Sequence, residues 1–508
     1  MTQNERPARE RAVEAAHEPS DPGTVDDGGG RASARVVRGG VLRTFGYGVG
    51  ALANVAGSVL LLRYLGVEQF GSYAVVTSLV ALAGGLADGG LTAVGNRELA
   101  VRGGRKERRL LMSQLLGIRL LVTPVAMALA VLFALAAGYP ALLVLGTLLA
   151  GLGWIVSVAA SALAMPLSVE LRIGALTALD LLKSLGATAA IVVLVLIGAG
   201  LLPFFAAAVP TAVVAVLVTP RLLAKGSLGW PTLRLRESGE LVRKSLIMAL
   251  ATVVGAVYLR LLTLLVFQLS DETQTGLFGT SARILEAITG LPLLVFLVAL
   301  PVMSLAYKEN RNSLRRFFQR MVEVSTVVTW FFVTVLVVGA EPIILAVGGA
   351  EYAQAIPVLQ VQSLALVGAL LAMASTMAAI AMDLDASILR ANATALGCAF
   401  VLGIPAVLLW GALGAAVATV AGDLAMAAVY WVALGRADAQ MRPRLRHTWK
   451  ALVAAMAAVV VATVAPVGDL VATGIAAAVF VAVALVTRAV PAEVFDALRH
   501  RGIGGGRT

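Results

Sequence analysis

The sequence predicts an all-α polytopic membrane protein with about fourteen transmembrane helices, and three observations carry that prediction. Apolar runs of about 20 residues, long enough to cross a bilayer, recur along the 508-residue chain. Hydrophobic residues make up 59% and charged residues 14%, against about 25% charged in soluble proteins. The Lys and Arg residues gather in alternate loops, and Arg63 is the sole base in the loops of the other side. Basic short loops stay in the cytoplasm, so both termini are expected inside a cytoplasmic (inner) membrane. The net charge of +11 then reflects topology facing anionic lipid, not nucleic acid.

The first forty residues alternate acids and bases around Gly28-Gly29-Gly30 and lack the apolar residues a core needs, so a disordered tail is expected over 1–40. No apolar segment near the start reads as a cleavable signal. Six spans follow, at about 41–62, 70–95, 112–137, 141–165, 176–197 and 202–220, forming an N-terminal unit over 41–220. A polar linker, 221–245, separates it from six more spans at about 246–269, 276–304, 321–340, 356–382, 391–410 and 413–434. A basic loop and two extra spans (449–466, 470–490) complete 435–490, and 491–508 is a second cytoplasmic tail. Inner loops carry Arg97 to Arg109, Arg221 to Lys244, Lys308 to Arg320, and Arg436 to Lys450. Outer loops are short and neutral or acidic, as at Asp271-Glu272-Thr273-Gln274.

The two six-span units repeat a local pattern. Each has an acidic turn running into glycine and an aromatic, Glu68 to Gly71-Ser72-Tyr73 and Asp271 to Gly276-Leu277-Phe278. Such a parallel repeat suits transporter halves related by a pseudo-two-fold axis along the membrane normal.

The run Arg63-Tyr64-Leu65-Gly66-Val67-Glu68-Gln69-Phe70-Gly71-Ser72-Tyr73 resembles the opening of polysaccharide-transporter flippases. So do Leu86-Ala87-Asp88-Gly89-Gly90-Leu91 and Asn96-Arg97-Glu98-Leu99-Ala100. These are the O-antigen and exopolysaccharide flippases of the multidrug/oligosaccharidyl-lipid/polysaccharide (MOP) exporter superfamily. Gly276-Leu277-Phe278 with Ala282-Arg283-Ile284-Leu285-Glu286, and Gly349 to Leu359, are similar to the matching turns of their second half. The resemblance covers 41 to about 435. It implies two six-helix lobes around a central cavity and export of lipid-linked glycans by alternating access. Implied partners are the glycan lipid and the bilayer, with a polysaccharide polymerase or glycosyltransferases beside them.

Charges inside spans are costly, about 2.5–3.5 kcal/mol each at mid-bilayer on insertion scales, and mark pathways. Arg260 lies about 14 residues into its span, roughly 21 Å deep, with no acid within a helical turn. Arg283 reaches a similar depth from the next span. Two guanidiniums at one level suit a diphosphate, because each presents a planar fork of donors. Glu286, three residues beyond Arg283, offers a pairing partner on the same face. Asp180 and Lys183 form a second such pair in the fifth span. Arg119, near the inner surface, is placed to snorkel. Arg119 and Lys183 low, with Arg260 and Arg283 high and Arg63 at the outer mouth, outline a stepped cationic path for a lipid diphosphate. Asp88, Asp423 and Glu286 are the candidates for coupling to a proton or Na⁺. Single amides such as Asn54, Gln268 and Asn392 suit interhelical hydrogen bonds.

No cofactor or metal is expected. Cys398 is the sole cysteine, and His17, His447 and His500 all lie outside the spans. No outer loop is long enough for a catalytic domain, so a glycan polymerase or glycosyltransferase is disfavoured and the chain reads as a non-enzyme. Two rivals keep the same fold: a cation-coupled drug or metabolite antiporter, whose cavity would hold acids and few bases, and a peptidoglycan-precursor flippase.

Overall fold

The computed structural model describes residues 27–91, 95, 105–169, 172–223, 246–443, 448–464 and 467–487. The 96–100 motif, the linker from 224 to 245, most of the N-terminal tail, the C-terminal tail and all three histidines lie outside them.

The described residues are all-helical, as the unbroken apolar runs require. The first two sequence spans lie in α1 (Asp27–Asp88), which starts inside the tail expected to be disordered and consists of two helices joined at a kink at Gly66. Gly66 takes φ 70°, ψ 175°, a conformation that costs glycine little because it has no Cβ. Within the span expected over 70–95 the helix breaks after Asp88, where Gly89 and Gly90 take positive φ, and Leu91 and Gly95 are helical beyond the break. Next come α2 (Arg105–Ala136), α3 (Ala141–Val169) and α4 (Ile173–Leu196). The sixth span is interrupted, giving α5 (Leu201–Phe205) and α6 (Val209–Leu222), with Pro210 in the first turn of the second piece.

The second half runs α7 (Leu246–Leu269), α8 (Glu272–Glu309), α9 (Arg311–Val338) and α10 (Ala340–Val347). It continues through α11 (Ala355–Ser363), α12 (Ala365–Ala381) and α13 (Asp385–Ala437). Asp271 caps α8 by accepting from the Gln274 amide, and Asn310 caps α9 from Asn312 and Ser313. α13 bends at Gly411 (φ 54°), where the side chain of Gln274 accepts from the Ala412 amide at 2.9 Å. The last helices are α14 (Thr448–Val464) and α15 (Asp469–Val486).

Ten helical stretches among the described residues are long and apolar enough to cross a membrane by length and composition, including the two bent helices, α1 and α13. Large apolar side chains such as Leu52, Leu196, Leu259 and Val486 are exposed. That pattern belongs to a surface solvated by lipid, where helices associate through small residues instead of apolar burial. Accordingly α12 and α13 meet through small residues: Gly368 lies against the Asp423 backbone, and Ala372 and Ala379 share a buried cluster with Ala391. α14 and α15 pack as a pair against α9, with Phe480 on Phe331 at 5.8 Å between centroids.

The bundle has two unlike ends. One carries the bends and turns at Gly66, 137–140, 197–200, Asp271, 339–354 and Gly411, and is here termed the glycine end. The other, the basic end, carries the caps of α9 and the 438–443 turn. The largest core cluster lies towards the glycine end and joins helices from both halves, including Phe70, Phe205, Phe278 and Tyr352.

Candidate functional site

A cavity of about 700 Å³ opens between the first half of α1, α4 and α8. α1 contributes Tyr47, Gly50, Asn54 and Ser58, which share a face because their spacing follows the helical turn. α4 contributes Asp180, Lys183 and Ser184, and α8 contributes Arg283, Glu286 and Gly290. A second cavity of about 390 Å³ lies between the second half of α1, α2, α3 and α7, lined by Asp88, Arg119, Trp154, Ser161 and Arg260. Four of the five cations singled out in the sequence therefore line two cavities.

Two contacts link these cavities. Lys183 of the first donates to Ser161 Oγ of the second at 3.0 Å. Glu286 of the first takes Arg260 of the second on Oε1 at 3.0 Å and Arg283 on Oε2 at 3.4 Å. One carboxylate thus bridges guanidiniums from two helices. Each of the three side chains is 30–45% exposed, so the cluster is open to the cavities, and screening by anything that enters them weakens its pairs.

The structure gives these residues partners, some those expected from the sequence and some not. Arg260 has no acid on its own helix, yet it is paired, across to α8. Lys183 hydrogen-bonds Ser161 on α3, and its charge also acts on Asp180, one turn away on the same helix. Arg119 does not snorkel: it is buried and pairs with Asp88 at 2.7 Å. That pairing engages Asp88, the acid expected at a helix break, and the helix does end there. Arg63 lines neither cavity; it sits beside Leu62 and Val347 of the first and donates to the Ala346 carbonyl at 2.6 Å. Asp423 is buried and accepts from the Tyr258 hydroxyl of α7 at 2.6 Å. Asn392 makes an interhelical bond, to the Ala251 carbonyl at 2.8 Å, whereas Asn54 faces the cavity.

Sequence reasoning missed Tyr258 and Ser161. Neither stands out, because a lone hydroxyl inside an apolar run is common; the nearest signal was the placement of Tyr258 two residues before Arg260.

The glycine end is closed between the two halves of the chain. A Cβ on Gly71 would fall 1.8 Å from the Glu272 carbonyl oxygen, and one on Gly276 would fall 2.0 Å from that of Val67. The two copies of the repeated motif therefore cross each other reciprocally, each glycine against the residue four before the other. Tyr352 donates to the Leu62 carbonyl at 3.1 Å and packs on Phe70, centroids 6.5 Å apart. Burial, reinforced by the charge of Glu351, pushes the Tyr352 hydroxyl pKa up, so it stays a proton donor in this contact. Tyr139 packs edge-on against Phe267 at 5.0 Å, and burial pushes its pKa up to about 12.

Among the described residues no group of three His, Cys, Asp or Glu side chains gathers to hold a metal ion. The two cavities bring four cations, Arg119, Lys183, Arg260 and Arg283, together with three acids, Asp88, Asp180 and Glu286, inside an apolar bundle.

A model of the family described as "Polysaccharide biosynthesis protein" matches residues 60–357. Comparison of the sequence with curated proteins gives no match. Among solved structures, the fold is similar to a lipid II flippase MurJ in an inward closed conformation. The TM-score is 0.69 at 12% identity, covering 88% of this chain and 99% of that one. It is also similar to an inward-facing multidrug resistance MATE family transporter of the MOP superfamily, at TM-score 0.56 and 16% identity, covering 77% and 95%. A MOP superfamily transporter from Pyrococcus furiosus gives TM-score 0.56 at 18% identity, covering 79% and 94%. The fold is that of these multi-pass membrane transporters.

Proposed function

We propose that this chain, which belongs to the polysaccharide biosynthesis protein family, is a flippase, not an enzyme. On this reading it moves a polyprenyl-diphosphate-linked oligosaccharide from the inner to the outer leaflet by alternating access. The single observation that carries the reading is the convergence of Arg260 and Arg283, from two helices, on one point between two cavities. Cationic side chains inside an apolar bundle are unfavourable unless they meet water or an anion. A diphosphate matches two guanidinium forks. Lys183 and Arg119 extend the path towards the basic end, and Arg63 receives the headgroup at the glycine end. The sugar follows along Tyr47, Asn54, Ser58 and Ser184 while the lipid tail stays in the bilayer.

In this reading the bent helices α1 and α13 each cross twice and the interrupted pieces pair, giving fourteen spans. Residues 41–220 and 246–434 are the two moving lobes, joined by 221–245 and related by a pseudo-two-fold axis. The reciprocal Gly71 and Gly276 contacts support that symmetry. Residues 435–490 add the flanking pair, and the tails 1–40 and 491–508 are cytoplasmic. The basic end faces the cytoplasm of a cell (inner) membrane, and a polymerase or glycosyltransferases would act on the same glycan lipid. Coupling by Asp88, Asp423 or Glu286 belongs to the same proposal.

The test is to delete the gene in its host and locate lipid-linked oligosaccharides with an impermeant sugar-modifying probe on intact cells and inverted vesicles. Inner-leaflet accumulation, relieved by the wild-type protein but not by an equally abundant Arg260→Ala protein, is the expected result. Full relief by Arg260→Ala would overturn the diphosphate site. No accumulation of any polyprenyl-linked glycan would transfer the reading to an antiporter.

A further inference from the structure

The two arginines of the anion seat are bridged by a carboxylate of the protein itself. Glu286 sends one carboxylate oxygen to Arg260 of α7 and the other to Arg283 of its own helix, at 3.0 and 3.4 Å. A purely structural ion pair needs one partner, and Arg283 three residues away suffices for that. Reaching a second guanidinium on another helix makes the carboxylate span the two donors as a bound oxyanion does. All three side chains remain partly exposed and line the cavities, so an incoming anion can exchange with the carboxylate without unpacking a core.

We propose that Glu286 is an internal counter-ion that holds the Arg260–Arg283 seat between transport cycles, and that a phosphorylated cargo must displace it. This rests on the flippase reading above, with Glu286 as a positioning residue of its anion site. Displacement leaves the two arginines bound to phosphate and the carboxylate turned into the cavity. Return of the carboxylate then competes the phosphate off when the cargo leaves. Such a competitor lowers affinity but keeps the seat from trapping its ligand or collecting bulk anions.

The experiment measures binding of farnesyl diphosphate, a short polyprenyl diphosphate, to the purified full chain in detergent, with inorganic pyrophosphate as the lipid-free arm. Wild type is compared with Glu286→Gln, Glu286→Asp, Arg260→Ala and Arg283→Ala. Glu286→Gln keeps the shape but removes the competing charge. It should bind roughly tenfold tighter, the scale set by losing two partly exposed ion pairs. Glu286→Asp, one methylene short of spanning both arginines, should fall between wild type and the Gln variant. Each arginine variant should bind more weakly than wild type. Pyrophosphate showing the same order assigns the effect to the phosphate seat; an effect with farnesyl diphosphate alone overturns displacement of a counter-ion by phosphate. Glu286→Gln binding no tighter than wild type, while Arg260→Ala still weakens binding, overturns the counter-ion role and leaves the flippase reading standing. Arginine variants that bind as wild type does, or no binding by any protein, overturn both.

Discussion

Arg119 and Asp423, the two buried charged side chains among the described residues, each have a partner on another helix, and those partnerships set what a substitution does. Tyr258 and Asp423 show the rule at its most buried, with a 2.6 Å hydrogen bond between α7 and α13. Tyr258→Phe removes the hydroxyl and leaves a buried carboxyl without its donor. That loss is expected to destabilise the protein by about 1–3 kcal/mol, read as a lowered melting temperature in detergent. An unchanged melting temperature would contradict the assigned bond. Partnerships of this kind were only partly legible in the sequence. Arg283 and Glu286 lie one helical turn apart and could be read directly. Asp88 with Arg119, Arg260 with Glu286, and Tyr258 with Asp423 are separated by 31, 26 and 165 residues, and only tertiary packing brings them together. Periodicity says which face a residue occupies, not which helix comes to meet it.

The helices themselves were more legible, because apolar run length is a direct physical requirement of crossing lipid. Their ends were not, and the polar first turns of α9 show why. Residues Arg311 to Arg320 read as an inner loop by charge, yet they are helical. Asn310 supplies the cap, Arg315 pairs with Asp438 at 2.6 Å, and Gln319 donates to the carbonyls of Gln440 and Arg442. These bonds fasten the end of α13 to α9 just before the chain turns towards α14. Asp438→Asn breaks a pair whose side chains are 26% and 14% exposed. A fully buried pair would cost about 3–5 kcal/mol to break, and partial exposure reduces this to roughly 1–2 kcal/mol. Melting should fall accordingly, and limited trypsin proteolysis should cut faster after Arg436, in the last turn of α13. Unaltered cleavage would show that this turn is held some other way.

Taken as a whole, the molecule closes one end between its two halves while cavities lie between helices below it. The motif repeat seen in the sequence foreshadowed that closure, since both copies meet there; that they meet glycine to backbone was not readable from residues alone. If transport requires this end to part, fixing it must stop transport. Ala74 of α1 and Gly279 of α8 are suited to that purpose. A Cβ on Gly279 lies 3.2 Å from the Ala74 Cβ, close to the spacing of about 3.8 Å in disulfides.

The measurement that tests the central claim most directly is translocation of a fluorescent polyprenyl-diphosphate oligosaccharide across liposomes. It uses the Ala74→Cys/Gly279→Cys protein in a Cys398→Ser background, oxidised and then reduced. The account predicts transport at the Cys398→Ser parent's rate when reduced and at the protein-free rate when cross-linked, restored by reductant. Lipid movement at the parent rate through fully cross-linked protein would contradict alternating access, and a parent no faster than protein-free liposomes would contradict the flippase assignment itself.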